Sequence, residues 1–199
     1  MTVLYTDAPP DLELERSILG SALALPGTSR HVIEVAVVHQ TGVDASFLES
    51  FPSLRGVVRL GVGYDKIDLD ACRRNSVAVA NVPDYCTEEV ADTTMTMILM
   101  LARGVRELEA ALRERPSAWQ HLSLARMRRL STQTLGVIGA GRIGNAVLER
   151  ARAFGMRRIF VDPAVDFSAG AEKVLSLSEL LERSDIVSVH VPLNLSLIH

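Results

Sequence analysis

The hydrophobic positions of this chain fall into short strand-like runs separated by segments long enough to form helices. These runs are rich in valine, isoleucine and alanine. They lie at Val3–Thr6, Glu34–His39, Gly56–Leu60, Val77–Asn81, Thr134–Gly139, Arg158–Val161 and Ile186–Val191. Strands that alternate with helices predict parallel sheets wound by right-handed crossovers. The pattern therefore predicts an α/β protein whose first four strands form one unit.

Apolar residues at helical spacing predict the helices between these strands. One long helix is predicted from Thr87 to Arg113, with Glu88 and Glu89 in its first turn, where acidic side chains suit the positive end of the helix dipole. Its middle is apolar almost all round, which favours a helix buried between layers or domains. In the first unit, helices are expected at about Asp11–Leu23, Ala45–Phe51 and Leu69–Asn75.

Composition and charge exclude several classes of protein. The 199 residues are 48% hydrophobic, and 21 basic against 24 acidic residues give a formal net charge of −3. No tail or face concentrates lysine or arginine, which argues against direct contact with nucleic acid. The most apolar stretch, Met95–Ala102, is far shorter than the roughly 20 residues of a membrane span. With only Cys72 and Cys86 and no leader-like start, a reducing compartment is expected, the cytoplasm or the nucleus.

A glycine-rich turn is the strongest local signal for binding. A predicted strand runs into Gly139, Gly141 and Gly144 in the pattern G-x-G-x-x-G, and a helix is predicted to begin at Arg142. The first glycine permits a tight turn, the second lets a pyrophosphate approach the backbone, and the third allows close helix–strand contact. We interpret this turn as a dinucleotide site that includes Arg142 and Ile143, although Arg142 also fits an exposed arginine at a helix start.

An acidic residue follows the next predicted strand at the position expected for ribose binding. Asp162 comes 162 − 144 = 18 positions after the last glycine, close to the spacing of about 20 in dinucleotide-binding units. A carboxylate there would accept hydrogen bonds from the adenosine ribose and repel a 2′-phosphate, which favours NAD over NADP. The alternative interpretation is a turn residue ahead of Pro163.

Two further stretches, Leu54–Asp68 and Val79–Asp92, precede the glycine turn. They resemble the substrate-domain signature of the D-isomer-specific 2-hydroxyacid dehydrogenases, and residues 81–92 are most similar to the branch that resembles C-terminal-binding proteins. The resemblance covers nearly the whole chain. It implies a flavodoxin-like substrate domain with a parallel sheet over residues 1–104, and the first half of a Rossmann NAD-binding domain over residues 105–199.

The same resemblance implies roles for two loops. The amides of Val62 and Gly63 would hold the substrate carboxylate, since the glycines on either side of Val62 expose backbone N–H groups, and Val62 would also lie near the nicotinamide. The residues alone favour a strand-ending turn here. Further along, the resemblance implies cofactor contacts, mostly through the backbone, from Val191, Pro192 and Leu193.

The function implied by the resemblance is hydride transfer between NAD(H) and a small 2-hydroxy or 2-oxo acid, in a protein that is a homodimer at full length. In the family an arginine and a histidine–glutamate pair carry the chemistry. The resemblance places all three beyond residue 199, so no catalytic residue and no metal ligand is assigned, and this chain alone is expected to be inactive. The alternatives are an NAD-responsive transcriptional corepressor or scaffold, similar to the C-terminal-binding proteins, and an inert truncation product.

One structural expectation follows from having only half of a dinucleotide fold. A full fold arranges its strands in the order 3-2-1-4-5-6. If the chain ends after the third strand of the second unit, the strand Thr134–Gly139 is predicted to keep an unpaired, apolar edge.

Overall fold

The computed structural model describes residues 1–7, 11–115, 117 and 127–192. The chain forms two compact units, Met1–Tyr85 and Cys86–Pro192 within this description, and each unit contains a four-stranded parallel sheet. The predicted α/β class is therefore confirmed. Within the described ranges, no helix combines the length and the apolar character that a membrane crossing requires.

The first unit alternates strands and helices in the predicted order. Asp44 and Asp68 begin its second and third helices, because their carboxylates accept hydrogen bonds from the amides of Phe47 at 2.9 Å and Ala71 at 2.8 Å. The strands are β1 (Val3–Tyr5), β2 (Val35–Val38), β3 (Gly56–Arg59) and β4 (Ala78–Asn81), and the helices are α1 (Glu13–Leu19), α2 (Ala45–Ser50) and α3 (Leu69–Arg74).

The sheet of the first unit has flavodoxin-like order. Its four strands pair in parallel in the order β1-β2-β3-β4, and Leu23 adds a one-residue parallel bridge to Val3 on the free side of β1. When Leu23 is counted as a reduced second strand, the order becomes 2-1-3-4-5. The residues Val38, Val57 and Cys72 lie in the buried core between this sheet and its helices.

Among its described residues, the second unit contains four α-helices and four strands. The strands pair in parallel in the order β7-β6-β5-β8, which is the order 3-2-1-4 of the first four strands of a Rossmann fold, the first half plus one strand. The helices are α4 (Thr87–Ala102), α5 (Val105–Glu114), α6 (Arg142–Ala153) and α7 (Leu177–Arg183), and the strands are β5 (Thr134–Ile138), β6 (Arg157–Val161), β7 (Glu172–Lys173) and β8 (Ile186–Val189).

The prediction of an unpaired edge on strand β5 is wrong. β5 pairs with β6 on one side and with β8 on the other, where Leu135 lies opposite Ile186 and Ile138 opposite Val189. The two-residue strand β7 has no hydrophobic run that predicts it, so β8 is the fourth strand of the unit and not the predicted third. The position at which the strand order reverses, between β5 and β8, therefore lies within this unit.

The prediction of one long helix from Thr87 to Arg113 is also wrong. Helix α4 ends at Ala102, and α5 begins at Val105 after Gly104, whose φ of +54° is left-handed. Glycine adopts this conformation without the steric cost that other residues meet, so Gly104 terminates helix α4. The apolar middle of α4 is also less completely buried than predicted, since Leu101 is 77% exposed.

Helix α4 belongs to the second unit because it packs against α6. Arg150 of α6 donates from Nε to Asp92 Oδ1 at 2.6 Å and from Nη2 to Glu88 Oε2 at 2.5 Å. Both carboxylates lie on α4, and Met95 and Ile98 of α4 enter the buried core. The compact unit therefore starts at Cys86, earlier in the chain than the predicted boundary after residue 104.

Candidate functional site

The glycine turn lies at the end of β5, next to the end of β8. Gly139 has a φ of +88°, and its amide donates to the Val161 carbonyl at 3.0 Å. A Cβ atom on Gly139 would lie 2.5 Å from Val191 Cγ1 and 2.6 Å from the His190 carbonyl oxygen. Both the dihedral angle and the packing therefore require glycine here.

Gly144 allows the first turn of α6 to contact strand β5. A Cβ atom on Gly144 would overlap the Gly139 carbonyl oxygen and would lie 3.2 Å from Val137 Cγ1. The predicted reason for this glycine, close approach of helix and strand, agrees with this geometry.

Gly141 differs from the other two glycines because the chain itself gives no steric reason for it. Its φ is −66°, and a Cβ atom there would meet nothing within 4 Å among the described residues. It is the N-cap of α6 and has no side chain to satisfy the first amides of the helix. Within the described residues, the amides of Gly141, Arg142 and Ile143 have no hydrogen-bond acceptor. Open space beside unpaired amides at a helix N-terminus fits a pyrophosphate.

Asp162 connects the glycine turn to the end of β6. Its Oδ2 accepts a hydrogen bond from the Ala140 amide at 2.8 Å, and its Oδ1 accepts from Ala164 at 2.7 Å and Val165 at 3.1 Å. The residue is thus part of a turn ahead of Pro163, as the alternative interpretation held. Oδ2, which accepts only the Ala140 amide, keeps capacity for a further hydrogen bond, so ribose binding stays a compatible prediction.

The other residues predicted for the cofactor site lie near this turn or outside the described residues. Ile143 packs its side chain against the core, so only its backbone is available, whereas the Arg142 side chain is exposed. Val191 lies beside Gly139, and Pro192 follows it in an exposed position. Leu193 lies outside the described residues.

The predicted carboxylate loop follows β3 in the first unit. The Val62 carbonyl accepts a hydrogen bond from Asn81 Nδ2 at 2.8 Å, and the Gly61 carbonyl accepts one from the Val82 amide at 3.2 Å. The amides of Val62 and Gly63 have no acceptor in the part of the chain that the structure describes. A loop with anchored carbonyls and free amides suits an anion. Asn81 was missed by the sequence analysis, although its place at the end of a strand is a usable signal.

Asp7 is a second residue that the sequence analysis missed. Its Oδ2 accepts hydrogen bonds from the amides of His39 at 2.8 Å, Gln40 at 2.9 Å and Thr41 at 3.0 Å. Burial opposes ionisation, but these hydrogen bonds outweigh it and hold the pKa of Asp7 well below its usual range. Asp7 therefore joins the ends of β1 and β2 as a carboxylate.

Replacing Asp7 with alanine is expected to lower the free energy of unfolding by about 2 kcal/mol, because three amides lose a charged acceptor. The lowered pKa of Asp7 makes this contribution fully present above its ordinary value of 3.8, and the contribution declines progressively as the pH falls from 3.8 towards the lowered pKa, so only part of it is lost at pH 3. Urea unfolding at pH 7 and pH 3 measures both effects. Asp70→Ala is the control, since Asp70 forms an exposed ion pair with Arg73 at 2.6 Å. Equal destabilisation by both variants at pH 7 would contradict the prediction.

A cleft of about 490 Å³ lies beside the carboxylate loop within the first unit. It is lined by Asp7, His39, Leu60, Gly61, Val82 and Tyr85. Among the described residues, no cluster of three or more histidine, cysteine or acidic side chains is arranged to hold a metal ion.

Comparison with known proteins tests the resemblance. Residues 95–199 match the family model described as "D-isomer specific 2-hydroxyacid dehydrogenase, NAD binding domain". The chain belongs to this family. The predicted family and the NAD-binding domain are therefore confirmed.

Named relatives and solved structures of the family agree with this assignment. The chain is 38% identical to a D-3-phosphoglycerate dehydrogenase of Methanocaldococcus jannaschii over 80% of its length and 31% of the relative. It is 37% identical to the Mycobacterium bovis D-3-phosphoglycerate dehydrogenase over 76% of its length and 29% of the relative. The chain thus spans less than a third of either relative.

A solved structure extends the similarity across both units. The crystal structure of D-lactate dehydrogenase from Aquifex aeolicus, complexed with NAD and lactic acid, aligns with a TM-score of 0.88 at 31% identity. The alignment covers 97% of this chain and 61% of that structure. The predicted fold class is confirmed by this similarity.

Proposed function

We propose that this chain carries the nucleotide turn and the carboxylate loop of an NAD-dependent oxidoreductase acting on small D-2-hydroxy and 2-oxo acids. The observation that carries the proposal is the open space at Gly141, beside three amides that have no acceptor among the described residues and beside the carboxylate of Asp162. The relatives named above are dehydrogenases, which favours an enzyme over the corepressor alternative and leaves the branch similar to C-terminal-binding proteins without support.

In this proposal the second unit binds the dinucleotide. The amides of Gly141, Arg142 and Ile143 donate to the pyrophosphate, helped by the positive end of the α6 dipole. Asp162 Oδ2 accepts a hydrogen bond from an adenosine ribose hydroxyl, and the carboxylate disfavours a 2′-phosphate. The backbone of Val191 contributes a contact at the end of β8, where strand order reverses. When bound, NAD supplies the hydride acceptor or donor.

The first unit contributes the substrate loop. The amides of Val62 and Gly63 bind the substrate carboxylate, and Asn81 positions the loop by donating to the Val62 carbonyl. The Gly61 carbonyl is fixed in turn by the Val82 amide. An anion held on backbone amides needs no side-chain cation in the loop itself.

The proposal also covers the cellular compartment and the oligomeric state of the full-length protein. Cys72 and Cys86 are both free thiols, which supports a reducing compartment such as the cytoplasm. We expect the full-length protein to be a homodimer, as the family resemblance implies.

Calorimetric titration of the chain with NADH tests the proposed cofactor site. Asp162→Asn keeps one side-chain oxygen for the Ala140 amide but replaces the oxygen that accepts from Ala164 and Val165. It is expected to weaken NADH binding about tenfold, since the ribose loses a charged acceptor and the turn loses two hydrogen bonds. The same change is expected to narrow the preference for NADH over NADPH. Asp166→Asn is the matched control, because Asp166 is an exposed partner of Lys173 at 2.8 Å.

Two outcomes would contradict the cofactor proposal. A folded wild-type chain that does not bind NADH would remove the basis of the nucleotide site. Equal weakening by Asp162→Asn and Asp166→Asn would show that the effect of Asp162 is not specific to the ribose.

A further inference from the structure

The cleft beside the carboxylate loop is formed by the carboxyl-terminal ends of the strands in the first unit. Leu60 and Gly61 follow β3, Val82 and Tyr85 follow β4, and Asp7 and His39 follow β1 and β2. Gly61 belongs to both the cleft wall and the loop that includes Val62. The cleft therefore adjoins the place where a carboxylate would be held on this loop.

The chemistry of the cleft wall favours an uncharged, apolar group. Leu60, Val82 and the ring of Tyr85 provide apolar surface. The Tyr85 side chain is exposed and open to a ligand. Burying an alkyl or aryl group against such a surface lowers the free energy roughly in proportion to the apolar area that is removed from water.

The charge in the cleft disfavours a phosphate. Asp7 is held as a carboxylate by the amides of His39, Gln40 and Thr41 and adds a fixed negative charge to the wall. No lysine or arginine is among the described residues that line the cleft, whereas phosphates are bound by such cations or by free amides. The Arg59 guanidinium lies beside Gly61 and donates to the Leu60 carbonyl, and Arg59 does not line the cleft.

We propose that this cleft accepts the C3 substituent of the substrate, and that the protein selects 2-oxo acids with an uncharged apolar side chain over phosphorylated ones. This inference rests on the proposed function. It distinguishes the chain from the two relatives whose names specify D-3-phosphoglycerate. The C3 substituent of a 2-oxo acid begins three bonds from the carboxylate carbon, a span short enough to reach the wall at Leu60 and Gly61.

The test is a ligand-detected NMR titration of the chain, with NADH present, using three 2-oxo acids. The probes are 4-methyl-2-oxopentanoate, 3-phosphonooxypyruvate and pyruvate. We expect 4-methyl-2-oxopentanoate to bind at least about tenfold more tightly than 3-phosphonooxypyruvate, from apolar burial and charge repulsion together. In pyruvate C3 is itself the methyl group and has no substituent, so pyruvate reports on the loop rather than on the cleft.

Variants of the cleft wall assign the selectivity to the named residues. Tyr85→Ala is expected to weaken the binding of 4-methyl-2-oxopentanoate about fivefold, because it removes apolar area, and to leave the binding of pyruvate unchanged. Tyr85→Phe keeps the ring and is the matched control. His39→Arg places a cation at the rim of the cleft and is expected to tighten the binding of 3-phosphonooxypyruvate at least about fivefold.

The outcomes separate this inference from the proposed function. Binding of 3-phosphonooxypyruvate as tight as that of 4-methyl-2-oxopentanoate overturns the inference, and so does NADH binding with no response to either acid. If NADH does not bind, the proposed cofactor site is wrong. The relative affinity for 4-methyl-2-oxopentanoate and 3-phosphonooxypyruvate then still tests the inference about the cleft.

Discussion

Replacing Gly141 with alanine is expected to weaken NADH binding about a hundredfold while leaving the folded chain as stable as the wild type. The added methyl group meets no described atom within 4 Å, and a φ of −66° is open to alanine. The same methyl group would occupy the space through which a pyrophosphate reaches the amides of Gly141 and Arg142. Loss of two charge-assisted hydrogen bonds accounts for the size of the effect.

Calorimetric titration with NADH and urea unfolding of the same samples measure the two halves of this prediction. Gly42→Ala is the matched control, since a Cβ atom there would lie 3.7 Å from the Lys66 carbonyl oxygen, an ordinary contact, in the unit without the glycine turn. NADH binding by Gly141→Ala at wild-type affinity would show that the open space is not a ligand site.

Replacing Gly144 with alanine is expected to lower the free energy of unfolding by about 3 kcal/mol, the upper part of the range for overpacked sites. The new Cβ would overlap the Gly139 carbonyl oxygen, and that backbone atom has little room to move because the Gly139 amide is bonded to Val161. Helix α6 would have to shift away from strand β5. NADH binding should fall as well, because the turn would change shape.

Thermal and urea unfolding measure the predicted loss of stability. Gly141→Ala is the matched control for stability, since both variants add one methyl group to glycines three positions apart in the same turn, and only the methyl group at Gly144 overlaps a backbone atom. An unchanged unfolding midpoint for Gly144→Ala would contradict the packing described for this turn.

Much of the fold and of the nucleotide turn could be predicted because the relevant signals are local. Runs of valine and isoleucine identified the longer strands, and the spacing of Gly139, Gly141 and Gly144 carries its physical reason within a few residues. Gly139 and Gly144 occupy the tight positions that were predicted. These features depend on close steric contact between neighbouring elements, and a glycine at a fixed position in a motif indicates such a contact directly.

The errors came from features without a local hydrophobic signal. Strand β7 has only two residues, Glu172 and Lys173, and neither is apolar, so the strand count was wrong and β8 was misplaced. The end of α4 depends on the left-handed Gly104, which lies inside an otherwise continuous helical pattern. A single glycine is compatible with a helix interior, and only the three-dimensional structure shows that it ends one here.

The missed residues of the candidate site depend on long-range contacts. Asp7 is bonded to amides more than thirty positions away, and Asn81 is bonded to a carbonyl nineteen positions away. A sequence shows that each follows a strand, but not which neighbouring strand end it meets. The resemblance to a family supplied the loop at Val62, for which the residues alone favoured a simple turn.

The hydrogen bond between Asp162 and the Ala140 amide has a consequence for cofactor engineering. Attempts to convert an NAD site to NADP usually begin by removing the acidic residue at the ribose. In this chain the carboxylate that we propose for the ribose, Asp162, also holds the glycine turn through Ala140 and its own loop through Ala164. A replacement without an acceptor would discard the shape of the turn together with the cofactor preference, so a redesigned site has to retain a side-chain oxygen at position 162.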